Sequence, residues 1–232
     1  MVIYSESDVP GTLGCRLYDK ATTIPDAVLQ KAFHRPPVLV GLTGGIGCGK
    51  TTVLKVFRQI GVPCFVADER AGKYYDDEDF LKEIHNLFGG VAFFSNGKAD
   101  KKAIASIVFN DKKKLLALNA LIHPRVMKEF TDWANRQAAP YVVIESAILY
   151  EYGLDKGLDK VICVYLEQEE RLRRLEERDH ATREVLLARM NSQFSAEEKM
   201  DRADYVILNY EGNPRERQVK YIDKLLRARN GA

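Results

Sequence analysis

A glycine-rich stretch at residues 38–52, VLVGLTGGIGCGKTT, carries the clearest chemistry in this sequence. It fits the phosphate-loop pattern G-x-x-x-x-G-K-[ST], in which Gly44 and Gly49 are the glycines, Lys50 is the lysine and Thr51 is the hydroxyl residue. Glycines let the backbone curl so that successive N–H groups point at phosphate oxygens, and the helix that follows adds the positive end of its dipole. The pattern therefore predicts a bound nucleoside triphosphate.

The sequence around the loop supports this interpretation over an incidental glycine-rich turn. The apolar run at 38–42 is typical of a buried strand, and Val53, Val56, Phe57 and Ile60 recur at helical spacing. We expect Lys50 to neutralise the outer phosphates and the Thr51 hydroxyl to complete the shell of a Mg²⁺ ion bound to them. The residues expected to bind the nucleotide are Gly45, Ile46, Gly47, Cys48, Gly49, Lys50, Thr51 and Thr52.

Asp68 follows the second apolar run, in CFVAD. Ligands of open α/β sheets gather outside the carboxyl ends of the strands, so Asp68 is a candidate to orient an acceptor hydroxyl toward the γ-phosphate. The alternative is that Asp68 only caps a helix that starts near Glu69. The residues alone leave both roles open.

Three arginines in ERLRRLEERD, Arg171, Arg174 and Arg178, lie at i, i+3 and i+7 and so share one face of a predicted helix. They could close over the triphosphate as a lid and stabilise charge on the transferred phosphoryl group. Acidic residues are interleaved with them, which is also typical of a helix face that is simply solvated.

Weaker candidates lie in other segments. Glu145 ends the run YVVIE and could meet Mg²⁺ directly or through water, or could face solvent. His123 precedes Pro124, a setting in which histidine is more often structural than catalytic. The lysines at 112–114 open a predicted helix, and they form either a solvated face or a site that holds an acidic second substrate.

Strand-like and helical patterns alternate from Val38 onward, which predicts an α/β fold with a parallel five-stranded sheet flanked by helices. The predicted strands are 38–42, 64–67, 141–144, 160–166 and 205–208. Helical patterns at 80–88, 101–109, 112–122 and 126–138 fill the long gap between the second and third strands. We therefore predict one phosphate-loop domain over 38–232, with a helical insertion at about 69–139 and a helical lid at about 168–200.

Residues 1–37 differ from the rest, because prolines and glycines interrupt them and only 25–33 has a helical pattern. We treat them as an extension of unknown role. The sequence has 35 basic and 33 acidic residues, and its net charge of +2 gives no basic surface of the kind that nucleic-acid binding needs. No apolar run is long enough to span a membrane. Cys15, Cys48, Cys64 and Cys163 have no metal-ligand spacing, so we expect reduced structural thiols in a cytoplasmic protein.

Taken together, the motifs resemble those of dephospho-coenzyme A kinases over about residues 38–210. The segments that carry the resemblance are GLTGGIGCGKTT, GVPCFVAD, VFNDKKKLLALNALIHPRV, ILYE, RLRRLEERD with NSQ downstream, and DYVILN. Many kinases share the phosphate loop. The specificity of the match therefore depends on the L-N-x-L-x-H-P segment and on the V-x-D that ends the second predicted strand.

The resemblance implies a P-loop kinase fold and a reaction that uses ATP and Mg²⁺. The family transfers the γ-phosphoryl group of ATP to the ribose 3′-hydroxyl of dephospho-coenzyme A, the last step of coenzyme A synthesis. Its catalytic aspartate falls on Asp68, its lid arginines fall on Arg174 and Arg178, and the residue of its last strand that approaches adenine falls on Asn209. Lys50 completes the expected catalytic set.

The resemblance also makes the insertion the acceptor-binding region, with His123 and Glu151 as expected substrate-binding residues. This sequence departs from many members, which have D-x-D where Val66, Ala67 and Asp68 stand and V-P-L-L where residues 146–149 read SAIL. The extension at 1–37 is a further departure. The oligomeric state stays open.

Other functions are compatible with parts of the pattern. Another small-molecule or nucleoside monophosphate kinase would share the phosphate loop and the lid and would differ in the insertion. A GTP-dependent switch is disfavoured, because the sequence has no N-K-x-D for guanine and no D-x-x-G after an apolar strand. A scaffold that binds ATP without turnover stays open.

Overall fold

A computed structural model describes residues 36–88, 94–95, 98–100, 103–104, 106, 108 and 111–230. Apart from Pro36 and Pro37, the extension predicted at 1–37, with its helix at 25–33, lies outside the described residues. Much of the helix predicted at 101–109 does too.

Five parallel strands form the central sheet. They are β1 (Val38–Thr43), β2 (Cys64–Val66), β5 (Tyr141–Glu145), β6 (Lys160–Tyr165) and β7 (Tyr205–Leu208), in the order β2-β5-β1-β6-β7. Apolar side chains fill β1 and β5 almost continuously, because helices cover both faces of a parallel sheet. The predicted α/β fold with a parallel five-stranded sheet is confirmed.

The register of the strands brings their carboxyl ends to one edge. Leu42 of β1 and Val66 of β2 both pair with Glu145, the last residue of β5. The loop that follows β1, the residues that follow β2 and the Glu145 side chain therefore meet at the same edge of the sheet, where α/β proteins bind their ligands.

Eight helices of the described residues surround the sheet or extend from it. They are α1 (Lys50–Gln59), α2 (Ala67–Lys73), α3 (Glu78–Phe88), α4 (Lys112–Ala134), α5 (Gln168–Asp179), α6 (Arg183–Asn191), α7 (Ala196–Arg202) and α8 (Arg215–Asn230). Two short 3₁₀ turns, Tyr74–Asp76 and Leu154–Gly157, complete the described helical elements. Among the described residues, no helix combines the length and the apolar character that crossing a bilayer requires.

Between β2 and β5 the chain forms α2, α3 and α4, together with a small antiparallel pair, β3 (Phe94–Ser95) and β4 (Lys98–Ala99). The sequence predicted only helices in this segment and missed the strand pair. Each of these strands has two residues, too few for an alternating pattern to be recognised.

The helices predicted at 112–122 and 126–138 are in fact one helix, α4, with Pro124 inside it. Proline removes a backbone donor and usually breaks or kinks a helix. Here Leu118, Ile122, Val126 and Phe130 form a buried row with four-residue spacing that runs straight past Pro124. Burial of this row against the sheet outweighs the local preference for a break, so the predicted boundary was wrong.

A local cap fixes the start of this long helix, and a tertiary contact fixes its second half. The Asp111 side chain caps it by accepting hydrogen bonds from the backbone N–H groups of Lys113 and Lys114, at 2.9 and 3.2 Å. Farther along, the Phe130 ring packs edge-on against Phe65 of β2, with 5.4 Å between ring centroids. The helix is therefore part of the core that lies on one face of the sheet.

We expect Phe130→Ala to destabilise the protein by about 3–5 kcal/mol, because it opens a cavity in a close-packed core. Phe130 is fully buried, whereas Leu116 on the same helix is half exposed. Leu116→Ala is the matched control and should change the free energy of unfolding by no more than about 0.5 kcal/mol. Urea unfolding of both variants measures the difference, and equal losses would contradict this account of the core.

Candidate active site

A cavity of about 620 Å³ lies at the carboxyl edge of the sheet. The loop between β1 and α1 contributes Ile46, Gly47 and Gly49 to its wall, and the first turn of α1 contributes Lys50, Thr51 and Thr52. Asp68, Glu145, Arg174 and Arg178 line the same cavity from α2, β5 and α5. Residues that are more than a hundred positions apart in sequence are thus brought together around one space.

The loop depends on glycine at two places in particular. Gly44 has a φ of 145°, and a Cβ added there would lie 2.3 Å from the backbone oxygen of Val164, which cannot move away. Gly49 has a φ of 90°, a left-handed value, and a Cβ there would lie 2.2 Å from Nδ2 of Asn209. The two glycines of the motif are therefore required by conformation and by close packing.

Lys50 lies across the loop that it follows. Its Nζ donates hydrogen bonds to the backbone oxygens of Gly44 and Gly45, at 3.0 and 3.3 Å. The ammonium group is thus held at the mouth of the loop, where a phosphate group can replace these two carbonyl acceptors with charged oxygens.

Two predicted loop residues, Gly45 and Cys48, are not part of the cavity wall. The Cys48 side chain is buried in the core, and the Cys48 N–H donates to the oxygen of Gly45 at 3.2 Å. Among the described cysteines, Cys48, Cys64 and Cys163 are all free thiols. Burial raises the pKa of Cys163 to about 12, which makes this thiol unreactive.

Asn209 binds the loop although it lies 161 positions after Cys48 in the sequence. The residue is buried just after β7, and its Nδ2 donates to the oxygen of Cys48 at 2.8 Å. Its own backbone oxygen accepts from Nη2 of Arg174 at 3.4 Å. The side chain thus fixes the loop backbone, while the contact with adenine that the resemblance implies stays a prediction.

Asp68 lies in the first turn of α2 and is exposed to the cavity. Helix α2 begins at Ala67, its N-cap is Val66, and no side chain forms a capping hydrogen bond there. The alternative that Asp68 merely caps the helix is therefore wrong. Its carboxylate remains available to the cavity.

Glu145 does not face solvent, contrary to the alternative that the sequence left open. Its carboxyl group is buried in the cavity wall, and this burial is the main reason that its pKa is raised. The Lys50 ammonium opposes the shift, whereas the charges of Asp68 and Glu69 add to it. The cavity therefore contains two carboxyl groups that repel each other, and the charge of Lys50 favours ionisation of the buried one.

Of the three α5 arginines predicted to share one face, Arg174 and Arg178 line the cavity. Arg174 donates to Glu170 through Nε at 2.8 Å, and Arg178 donates to Asp179 through Nε at 2.6 Å. Arg171 is different, since it is only 5% exposed and its Nη1 lies 2.1 Å from the position of a Cβ on Gly45. The structure therefore separates Arg171 from the two arginines expected to form the lid.

His123 and Glu151, which the resemblance makes substrate-binding residues, do not line this cavity. The His123 ring packs edge-on against Tyr152 at 4.4 Å, and Nδ2 of Asn119 donates to the Tyr152 hydroxyl oxygen at 2.5 Å. Burial lowers the pKa of His123, so its imidazole is neutral at pH 7. Their substrate-binding roles stay predictions.

Sequence reasoning missed the role of Gln193. Its side chain lines the cavity, and its Oε1 accepts a hydrogen bond from the N–H of Ile46 in the phosphate loop at 3.3 Å. The segment NSQ was noted only as part of a resemblance. A glutamine between two helices has no pattern that indicates a contact 147 positions away.

The donors around the cavity fit Mg²⁺ bound together with a nucleotide. The Thr51 hydroxyl and the carboxyl groups of Asp68 and Glu145 supply oxygen, the ligand type that Mg²⁺ prefers. Within the described residues, no three His, Cys, Asp or Glu side chains converge as a cage of their own. This is the usual arrangement for Mg²⁺, which takes most of its ligands from phosphate and water.

The chain is similar in sequence to dephospho-CoA kinases. The family model for dephospho-CoA kinase matches residues 38–214. Dephospho-CoA kinase of Fusobacterium nucleatum is 36% identical over 172 residues, which cover 74% of this chain and 89% of the relative. Dephospho-CoA kinase of Chlorobaculum tepidum is 41% identical over 183 residues, which cover 75% and 88%.

Solved structures show the same fold. A crystal structure of a Thermus thermophilus protein superposes with a TM-score of 0.74 at 32% identity, over 82% of this chain and 98% of that one. The dephospho-CoA kinase of Campylobacter jejuni superposes with a TM-score of 0.54 at 24% identity, over 83% and 98%. These matches support the fold over about four fifths of the chain.

We expect Glu145→Gln to raise the thermal stability of the ligand-free protein at neutral pH. The folded state holds this carboxyl group with a raised pKa, so ionisation above that pKa costs folding free energy, and glutamine avoids this cost. The gain should disappear as the pH falls below the usual carboxyl pKa, where both states bind the proton. Melting temperatures of the wild type and the variant, measured from about pH 4 to pH 8, test the sign of this change.

Asp79→Asn is the control for this experiment. Asp79 is exposed and Lys82 lowers its pKa, so its replacement should give no gain at neutral pH. A lower melting temperature for Glu145→Gln at every pH would show that the carboxylate stabilises the cavity.

Proposed function

Because the chain belongs to the dephospho-CoA kinase family, we propose that the cavity at the carboxyl edge of the sheet is where ATP meets dephospho-CoA. The protein is an ATP-dependent kinase that phosphorylates dephospho-CoA, the final step of coenzyme A biosynthesis. The observation that carries the assignment of the site is that Lys50, Asp68, Arg174 and Arg178 line one cavity.

In our proposal the phosphate loop binds the triphosphate through its backbone N–H groups and through Lys50. Transfer forms a bond between the ribose 3′-oxygen and the γ-phosphorus and breaks the bond from that phosphorus to the bridging oxygen of ADP. Catalysis of such a step is mostly positioning and charge stabilisation. Lys50 lies where it can stabilise the negative charge of the outer phosphates.

Asp68 positions the acceptor. Its carboxylate accepts a hydrogen bond from the ribose 3′-hydroxyl, aims the oxygen at the γ-phosphorus and takes up the proton that the oxygen loses. The exposure of Asp68 toward the cavity and the lack of a capping role leave it free for this contact.

The lid arginines and the metal ion complete the charge balance. Arg174 and Arg178 exchange their carboxylate partners for phosphate oxygens, which form strong charge-assisted hydrogen bonds. Mg²⁺, when bound, would neutralise charge on the phosphates. The Thr51 hydroxyl would hold it, and the Glu145 carboxyl group in the same cavity wall would accept hydrogen bonds from its water ligands.

The helices between β2 and β5 are the proposed acceptor-binding region. The observation that favours this assignment is a polar group formed by Asn119, His123 and Tyr152, which joins α4 to the loop after β5. A neutral imidazole can donate to or accept from an uncharged part of the substrate. Another small-molecule or nucleoside monophosphate kinase is the competing function, and it differs in this region.

The test of the proposed function is a coupled assay of ADP formation with Mg²⁺ and ATP. Dephospho-CoA should be phosphorylated, whereas shikimate, gluconate and the nucleoside monophosphates should give turnover at least about 100-fold lower. Lys50→Ala is the control variant and should abolish turnover because it removes the positive charge that stabilises the outer phosphates. Preferred turnover of another acceptor would overturn the assignment of substrate and leave that of the nucleotide intact.

Asp68→Asn should lower kcat about 10²–10⁴-fold, because the amide keeps the size of the carboxylate and cannot accept the proton. The affinity for ATP should change little, since the proposed contact of Asp68 is with the acceptor. Steady-state kinetics with ATP and dephospho-CoA varied in turn separate the two effects.

Glu69→Gln is the matched control for Asp68→Asn. Glu69 is the next residue in the same helical turn, is exposed and does not line the cavity, so its replacement should leave kcat within about threefold. A loss of ATP affinity with kcat unchanged in Asp68→Asn would contradict the role proposed for this carboxylate.

A further inference from the structure

A buried ion pair joins α7 to the loop that follows β5. Lys199 of α7 has a side chain that is 0% exposed, and its Nζ lies 2.6 Å from Oε1 of Glu151, which is 9% exposed. The same Nζ donates to the backbone oxygen of Ala147 at 2.6 Å. Because Ala147 lines the cavity, one end of this arrangement is part of the cavity wall.

The other end reaches the phosphate loop. Oε1 of Glu151 accepts a second hydrogen bond, from the backbone N–H of Phe194 at 3.0 Å. The preceding residue is Gln193, whose side chain lines the cavity and accepts the N–H of Ile46 at 3.3 Å. A single carboxylate oxygen therefore connects α7, the segment before α7 and the loop after β5. Gln193, the residue next to Phe194, contacts the phosphate loop directly.

Stability alone does not account for this pair. Burial of two charges costs so much hydration that a well-packed apolar pair of the same size is often as stable. Burial lowers the pKa of the Lys199 ammonium, and the Glu151 carboxylate opposes that shift. What an apolar pair cannot supply is the set of directional bonds to Ala147 and Phe194.

Neighbouring contacts hold the same segment in place. The Arg202 guanidinium lies over the rings of Tyr150 and Phe194, at 4.2 and 5.5 Å from their centroids. Ser195 precedes α7 as its N-cap, and its side chain and that of Glu198 form a capping box by exchanging hydrogen bonds with the backbone. The segment that contains Gln193 is therefore fixed by contacts of Phe194 and by the cap at Ser195.

We propose that Lys199 and Glu151 are positioning residues that hold Gln193 against the phosphate loop and thereby set the direction of the Ile46 N–H. The proposal deepens the proposed function, on which it rests, because it concerns the same nucleotide site. It gives Glu151 a role within the protein, since its Oε1 faces Lys199 and accepts the N–H of Phe194. Loss of the pair weakens nucleotide binding and leaves acceptor binding unchanged.

The principal test is the double variant Glu151→Gln with Lys199→Met, which removes both charges and leaves none buried without a partner. We expect KM for ATP to rise about fivefold or more, as the loss of one well-placed hydrogen bond implies, and KM for dephospho-CoA to stay within about twofold. The single variant Glu151→Gln, measured in parallel, should change KM for ATP in the same direction.

Tyr141→Phe is the matched structural control. Tyr141 is also buried, and its hydroxyl donates to Asp223 at 2.7 Å, outside the residues that line the cavity. This variant should lose stability and keep both KM values. An equal rise of KM for ATP in Tyr141→Phe would show that general destabilisation is the cause and would overturn the proposal.

A double-mutant cycle tests whether the pair acts through Gln193. Gln193→Ala combined with Glu151→Gln and Lys199→Met should raise KM for ATP no further than the larger of the separate effects, because both changes remove the same contact. Gln193→Ala combined with Tyr141→Phe should show independent effects. Fully multiplicative effects in the first combination would overturn the proposal, and so would a rise confined to KM for dephospho-CoA.

Binding of a fluorescent ATP analogue separates this proposal from the proposed function. Its dissociation constant is measured without any acceptor, so the comparison between wild type and variants stands even if dephospho-CoA proves to be the wrong acceptor. Unchanged affinity for the analogue in the double variant would overturn the positioning role. A wild type that binds the analogue and does not phosphorylate dephospho-CoA would overturn only the proposed function.

Discussion

A positive φ at Gly47 and at Gly49 turns the chain sharply between β1 and α1, and the rest of the site is arranged to hold that turn. A backbone that directs its N–H groups toward a ligand gives up the hydrogen bonds that would otherwise stabilise it. Side chains from distant segments compensate, since Asn209 binds the oxygen of Cys48 and Gln193 binds the N–H of Ile46. The loop is thus held from two sides by residues that follow β6 in the sequence.

The charges of the site are consistent with the exchange of carboxylate for phosphate partners that we propose for ligand binding. Arg174 and Arg178 pair with Glu170 and Asp179 on the same helix, and such partly exposed pairs contribute little to stability. These arginines can therefore leave their partners at small cost when phosphate oxygens are present. Glu145 is the contrasting group, because its buried carboxyl group already has a raised pKa before any ligand arrives.

Local patterns predicted much of this structure, and contacts between distant segments explain what they did not predict. The phosphate-loop motif and the apolar run of each strand are contained within a few consecutive residues, so the sequence shows them directly. The continuity of α4 through Pro124 depends on a buried row that packs against other elements, which no local signal contains. Asp68 and Arg171 required the same information, since only the packed structure shows that one faces the cavity and the other lies buried against Gly45.

Ile46 is the residue at which the segment of α5, α6 and Gln193 meets the phosphate loop. Its side chain packs against the small apolar cluster of Leu172, Leu175, Leu186 and Met190, which holds α5 to α6. Its N–H is the group that Gln193 binds, at the far end of the same segment. A displacement of α5 and α6 therefore acts on Ile46 through both its side chain and its backbone. Since α5 also carries Arg174 and Arg178, the position of the arginines and the conformation of the loop are mechanically linked at one residue.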